Sequence, residues 1–144
     1  MRNKYLVSKS YISKASVLAT IEALGEQYTY RIVKEKKYLL DLDDIDLYRD
    51  ISDDEIYFIG FWVIDENEFY EDPYIINGEK YYIAIYMTHH SDILHEVNQL
   101  IRDLLAIYPD MFVSDEYARE FYSLSDILSG NIPLWLKEGF EDVV

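Results

Sequence analysis

Between Tyr28 and Met87 the chain presents one strand-like segment after another, with no amphipathic helix to separate them. Antiparallel neighbours can be joined by a turn of a few residues, whereas parallel neighbours need a crossover of a dozen or more. The segments "YTYRIV" (Tyr28 to Val33) and "KYLLDL" (Lys37 to Leu42) are joined by the charged turn "KEKK". "IYFIGFWVI" (Ile56 to Ile64) is apolar on both faces and reads as a central strand. In "YIINGEKYYIAIYM", Asn77-Gly78 suits a two-residue type I′ turn flanked by β-branched and aromatic residues. Such a run predicts an antiparallel sheet.

Two helices frame it. Ser13 can cap the first, Ile12 and Val17 can staple across that cap, and Gly25 can end it; Val17, Leu18, Ile21 and Leu24 form its buried stripe. The second is capped by Ser91 and stopped by Pro109. Its apolar face comprises Ile93, Leu94, Val97, Leu100, Ile101, Leu104 and Leu105. "YLVS" near the start and "MFV" after Pro109 read as short strands. Ser114 ahead of "DEYAREFY" predicts a helical piece, and Pro133 opens a last turn, "PLWLKE", that Gly139 closes. The expected fold is a single α+β domain over residues 1–144. Its mostly antiparallel sheet carries two main helices on one face and ends in a short helical tail.

Composition supports a core of that size. Of 144 residues, 50% are hydrophobic, and a chain this long buries about two thirds of its unfolded surface without a staple. The absence of cysteine removes thiol catalysis, disulfides and thiolate zinc sites. The start lacks the apolar core of a signal peptide. No stretch approaches the roughly 18 apolar residues of a membrane span, so the expectation is a soluble, cytoplasmic protein.

Charge narrows the choice of partner. The net charge of -15 is distributed unevenly, with +5 over residues 1–37, -13 over 41–79 and -7 over 80–144. A field of this sign repels nucleic acid and anionic membrane and draws in basic protein surfaces. "DLDDIDLYRDISDDE" holds eight carboxylates and one arginine. It fails as an EF-hand: counted from Asp41, positions 5, 6 and 12 are Ile45, Asp46 and Ser52, and counted from Asp50, position 12 is Phe61. Charge runs are usually solvated loops. Here Leu42, Ile45, Leu47, Tyr48 and Ile51 alternate with the acids and should anchor the segment on the body. Asp41 and Asp43, if extended, would point the same way about 7 Å apart, a spacing that can imitate phosphates. The candidate partner-binding set is therefore Asp41, Asp43, Asp44, Asp46, Tyr48, Asp50, Asp53, Asp54 and Glu55.

"HHSDILHE" contains all three histidines. "HEVNQ" misses the zinc-protease pattern by one residue, because Gln99 stands where the second histidine belongs. His90, Asp92 and His95 are the candidate metal ligands, and an enzyme would be built around His89, His90, Asp92, His95 and Glu96. The plainer reading is local polarity at a helix start. Phosphate-binding loops and a serine elbow are absent, and Ser129-Gly130 reads as a helix end. Fifteen tyrosines suit either half-buried sheet or a protein interface. Strand alternation puts Tyr82, Ala84 and Tyr86 on one face and Tyr81, Ile83 and Ile85 on the other.

Three classes follow. The preferred one is a non-enzymatic acidic inhibitor, immunity-type or nucleic-acid-mimicking. It would block a basic site on a partner such as a nuclease or another nucleic-acid-binding protein, without touching nucleic acid or membrane itself. The alternatives are a metal-dependent enzyme at the histidines and an adaptor whose acidity serves solubility. No catalytic residue and no cofactor is assigned.

Overall fold

A computed structural model describes residues 2–34, 43–90 and 93–137. Among them are seven strands: β1 (Arg2–Ser8), β2 (Arg31–Val33), β3 (Ile45–Asp50), β4 (Ile56–Val63), β5 (Tyr74–Ile76), β6 (Glu79–His89) and β7 (Phe112–Asp115). All pair antiparallel in the order β2-β3-β4-β6-β1-β7, with β5 added to β6. The helices are α1 (Lys14–Gln27), α2 (Glu66–Phe69), α3 (Leu94–Ile107), α4 (Leu124–Ser129) and α5 (Leu134–Lys137). This is the α+β architecture that the run of strands predicts. No helix among the described residues is long and apolar enough to cross a membrane.

Alternation decides what each strand buries. Ile45 and Leu47 of β3, Ile59, Phe61 and Val63 of β4, Ile85 and Met87 of β6 and Leu6 of β1 lie on one face, each at most 2% exposed. They share a core with Val17, Ile21 and Leu24 of α1 and with Val97, Leu100, Ile101, Leu104 and Leu105 of α3. Each buried Leu or Ile contributes about 1.5–3 kcal/mol. The other face carries Tyr5, Tyr48, Phe58, Trp62 and Tyr86, all half-buried.

The β5–β6 turn has the expected chemistry. Asn77 and Gly78 both take positive φ, 53° and 81°, as a type I′ turn requires. Gly130 likewise closes α4 in the left-handed region, opposite a capping box between Ser123 and Asp126.

Four readings need correction. Gly25 does not end α1, which runs on to Gln27. A Cβ there would lie 2.7 Å from Leu47 Cδ2, so the glycine serves close helix–sheet packing. Ser13 holds the N-cap position but makes no side-chain cap bond. Ser114 belongs to β7, not to a helix start. Its hydroxyl donates to the Glu120 carbonyl at 2.6 Å, and Val113 bridges Tyr122 where the helical piece is expected. A register shift at Leu6/Val7 breaks the alternation of β6. Tyr81 accordingly packs with Val7 and Ile76 in a second small cluster, while Ile85 joins the main core. The strand at Lys37 to Leu42, the cap at Ser91 and the stop at Gly139 fall outside the described residues.

Candidate partner-binding face

From residue 43 onward the acidic segment is folded, and its described acids are sent to four places. Ile45 and Leu47 anchor it as β3, 1% and 0% exposed. The carboxylates of Asp43 and Asp46 converge over Gly60 of the adjacent strand. A Cβ on that glycine would meet Asp43 Oδ2 at 2.2 Å and Asp46 Oδ1 at 2.8 Å. Tyr48 Oη donates to Asp46 Oδ2 at 3.5 Å from the same face. Asp44 accepts from the Val63 amide at 2.8 Å and pairs with Lys14 at 3.1 Å. Arg31 grips Asp50 with two bonds, Nε to Oδ2 at 2.9 Å and Nη2 to Oδ1 at 2.8 Å, and these hold the Asp50 carboxyl below its ordinary range. Asp41 lies outside the described residues, so its spacing from Asp43 does not enter.

Gly60→Ala should therefore disturb a carboxylate pair rather than an apolar contact. We expect a loss of about 1–2 kcal/mol from the forced displacement of Asp43 and Asp46, measured by urea unfolding.

The remaining acids sit together at the tip of the β3–β4 hairpin. The Ile51 and Ser52 amides donate to the Glu55 carbonyl at 2.9 and 3.1 Å, and Ser52 Oγ accepts from the Asp54 and Glu55 amides. Asp53, Asp54 and Glu55 project from this turn, exposed and without an ion pair among the described residues. Ile51 and Ile56 flank them at 54% and 46% exposure.

Beside the tip a cavity of about 600 Å³ opens between the sheet and the start of α3, lined by Tyr28, Tyr30, Arg49, Ile51, Tyr57, Ile93, His95, Glu96 and Gln99. Arg49 is its frame. The guanidinium donates to Glu96 Oε1 through Nε at 2.8 Å, to the Tyr28 carbonyl through Nη2 at 2.9 Å and to the Thr29 carbonyl through Nη1 at 3.3 Å. It also lies 4.0 Å from the Tyr30 ring centroid. Tyr30 Oη donates to Glu96 Oε1 at 3.1 Å, and burial, with Glu96 adding, pushes that phenol well above its ordinary value. The period of two carries the missed signal, because Ile45, Leu47 and Arg49 share one face, which places this lone base at the rim of the core.

The histidines do not converge. His89 is 0% exposed on the core face of β6. Its Nδ1 donates to the His90 carbonyl at 2.9 Å, and Nε2 has no partner among the described residues. Burial draws its pKa down to about 4, with the positive charges of Lys4 and Arg2 adding to the effect. His90 lies against Phe58 and accepts the Phe58 amide on Nδ1 at 3.1 Å. His95 lines the large cavity. Asp92 lies outside the described residues, and no group of three potential metal ligands occurs among those described.

Lys4 was not singled out by sequence. It is 2% exposed in the middle of the sheet, with Nζ 5.0 Å from the Trp135 ring centroid, and burial, with Arg2 adding, draws its pKa down to about 8. Among apolar strand residues nothing in its local sequence distinguishes it from an exposed lysine.

Comparisons with protein-family models, curated proteins and solved structures find no significant match to this chain.

Proposed function

We propose that this chain is a non-enzymatic protein-binding module that docks a basic partner on its acidic hairpin tip, in the manner of an immunity-type or nucleic-acid-mimicking inhibitor. The observation that carries this reading is the company kept by Asp53, Asp54 and Glu55: exposed, unpaired among the described residues, and flanked by exposed Ile51 and Ile56. Charge gives fast capture and partner choice, while the isoleucines and the adjoining cavity offer apolar area for a buried contact. The proposed contact is narrower than the whole acidic segment, because Lys14 and Arg31 already compensate Asp44 and Asp50. The partner is a nuclease or another nucleic-acid-binding protein, met in the cytoplasm. A chain without cysteine needs no oxidising compartment to fold, which supports that setting.

The test uses purified basic nucleases and DNA-binding proteins against immobilised wild-type chain and a variant carrying Asp53→Asn, Asp54→Asn and Glu55→Gln. The triple variant should bind on the order of ten-fold or more weakly, wild-type affinity should fall with added salt, and DNA should compete for the partner. Binding that ignores both the substitutions and salt would favour the adaptor reading instead.

A further inference from the structure

At the opposite end of β4 from the hairpin tip lies a second cavity, of about 270 Å³, between the sheet and the α2–β5 connection. Its wall is aromatic. Trp62 of β4 and Tyr86 of β6 face each other across the strand pair, stacked with centroids 4.9 Å apart and 21° between planes. Tyr74 of β5 lines the same space. The mouth holds Glu68, Glu71 and Asp72, all exposed, and no lysine or arginine among the described residues lines it.

We propose that this cavity is a binding site for a small organic cation of the alkylammonium class, with the rings of Trp62 and Tyr74 receiving the head group, Tyr86 backing Trp62 from between it and Tyr5, and the three carboxylates neutralising it. Aromatic faces carry negative potential, and Trp is the strongest host for such a cation. An apolar ligand would gain from the rings alone but would leave three carboxylates partly desolvated without compensation, and an anion would be repelled. The volume is below that of a drug-sized pocket and suits a head group rather than a large cofactor. Burial raises the Tyr86 phenol above its ordinary value, with Tyr74, Tyr5 and Asp72 adding. The site shares no residue with the hairpin tip and does not depend on the reading given to it.

The experiment titrates the full chain with choline and follows the Trp62 indole N–H resonance by NMR, with Trp62→Phe assigning the signal and calorimetry giving the affinity. Its uncharged isostere, 3,3-dimethylbutanol, is titrated alongside. Choline should bind saturably, the neutral alcohol should bind on the order of ten-fold more weakly, and Trp62→Leu should weaken choline by a similar factor. Trp62→Phe should retain part of the affinity, and Asp72→Asn should lower it without touching the fold. An N-acetyl trimethyllysine amide in place of choline tells whether the cation is carried on a protein side chain or on a free small molecule. Equal binding of choline and its neutral isostere, or no saturable binding of either cation to the wild-type chain, would overturn the assignment. Choline binding should survive the triple substitution at the hairpin tip, which keeps the two sites' outcomes separate.

Discussion

Replacing Arg49 by methionine is expected to cost the fold about 2–4 kcal/mol, although the side chain sits at the rim of the core and methionine fills much of its volume. The loss comes from what the guanidinium leaves behind. Arg49 and Glu96 have side chains only 24% and 26% exposed, so the carboxylate loses its cation in a place water reaches poorly. The Thr29 carbonyl loses the guanidinium donor as well, and the Tyr28 carbonyl keeps only the Thr29 hydroxyl. Thr29 has φ of 60°, a left-handed conformation that a β-branched residue holds at a cost of about 1–2 kcal/mol, and Arg49 helps to fasten it together with the bond from the Thr29 amide to the Glu26 carbonyl. Urea unfolding of Arg49→Met, Glu96→Gln and the double variant checks this. The double should cost less than the two singles combined, since Glu96→Gln removes the stranded charge. A cost below about 0.5 kcal/mol for Arg49→Met would show that the network contributes no stability.

The second large effect depends on pH. His89 has a folded pKa of about 4 against an ordinary 6.5, so as pH falls the unfolded chain takes up the proton first. The stabilisation is complete above pH 6.5 and drains away between 6.5 and 4, amounting to about 3 kcal/mol over that window. The carboxylates also titrate there, so the informative quantity is a difference. His89→Leu should lose about 3 kcal/mol less than wild type between pH 7 and pH 4, as read from urea midpoints. Parallel pH profiles for the two proteins would mean that His89 is not held neutral by burial.

Elements with strong local signals are the ones the sequence discloses. The stripe from Leu94 to Leu105 makes α3, the long apolar run makes β4, and Asn77-Gly78 makes the β5–β6 turn. Where tertiary packing competes with a local signal, packing prevails. Gly25 carries a stop signal but sits inside α1, because Leu47 and Ile32 approach too closely for any side chain. Ser114 carries a start signal but is claimed by β1, through its pairing with Tyr5. The acidic segment was legible as anchored, since Ile45 and Leu47 alternate with its acids. Its subdivision was not legible, because Lys14 and Arg31 reach Asp44 and Asp50 from elements distant in sequence. His89 and His90 were adjacent in sequence, yet β6 ends at His89, which is buried in the core, while His90 just beyond it lies against Phe58.

The place of β1 in the sheet governs the timing of assembly. It lies between β6 and β7, and the hydrogen bond from Thr88 Oγ1 to Asn3 Oδ1 spans 85 residues of sequence. During synthesis β1 must therefore wait, its backbone amides unmatched, until most of the sheet has left the ribosome. Contacts of such long range slow the search for the native pairing.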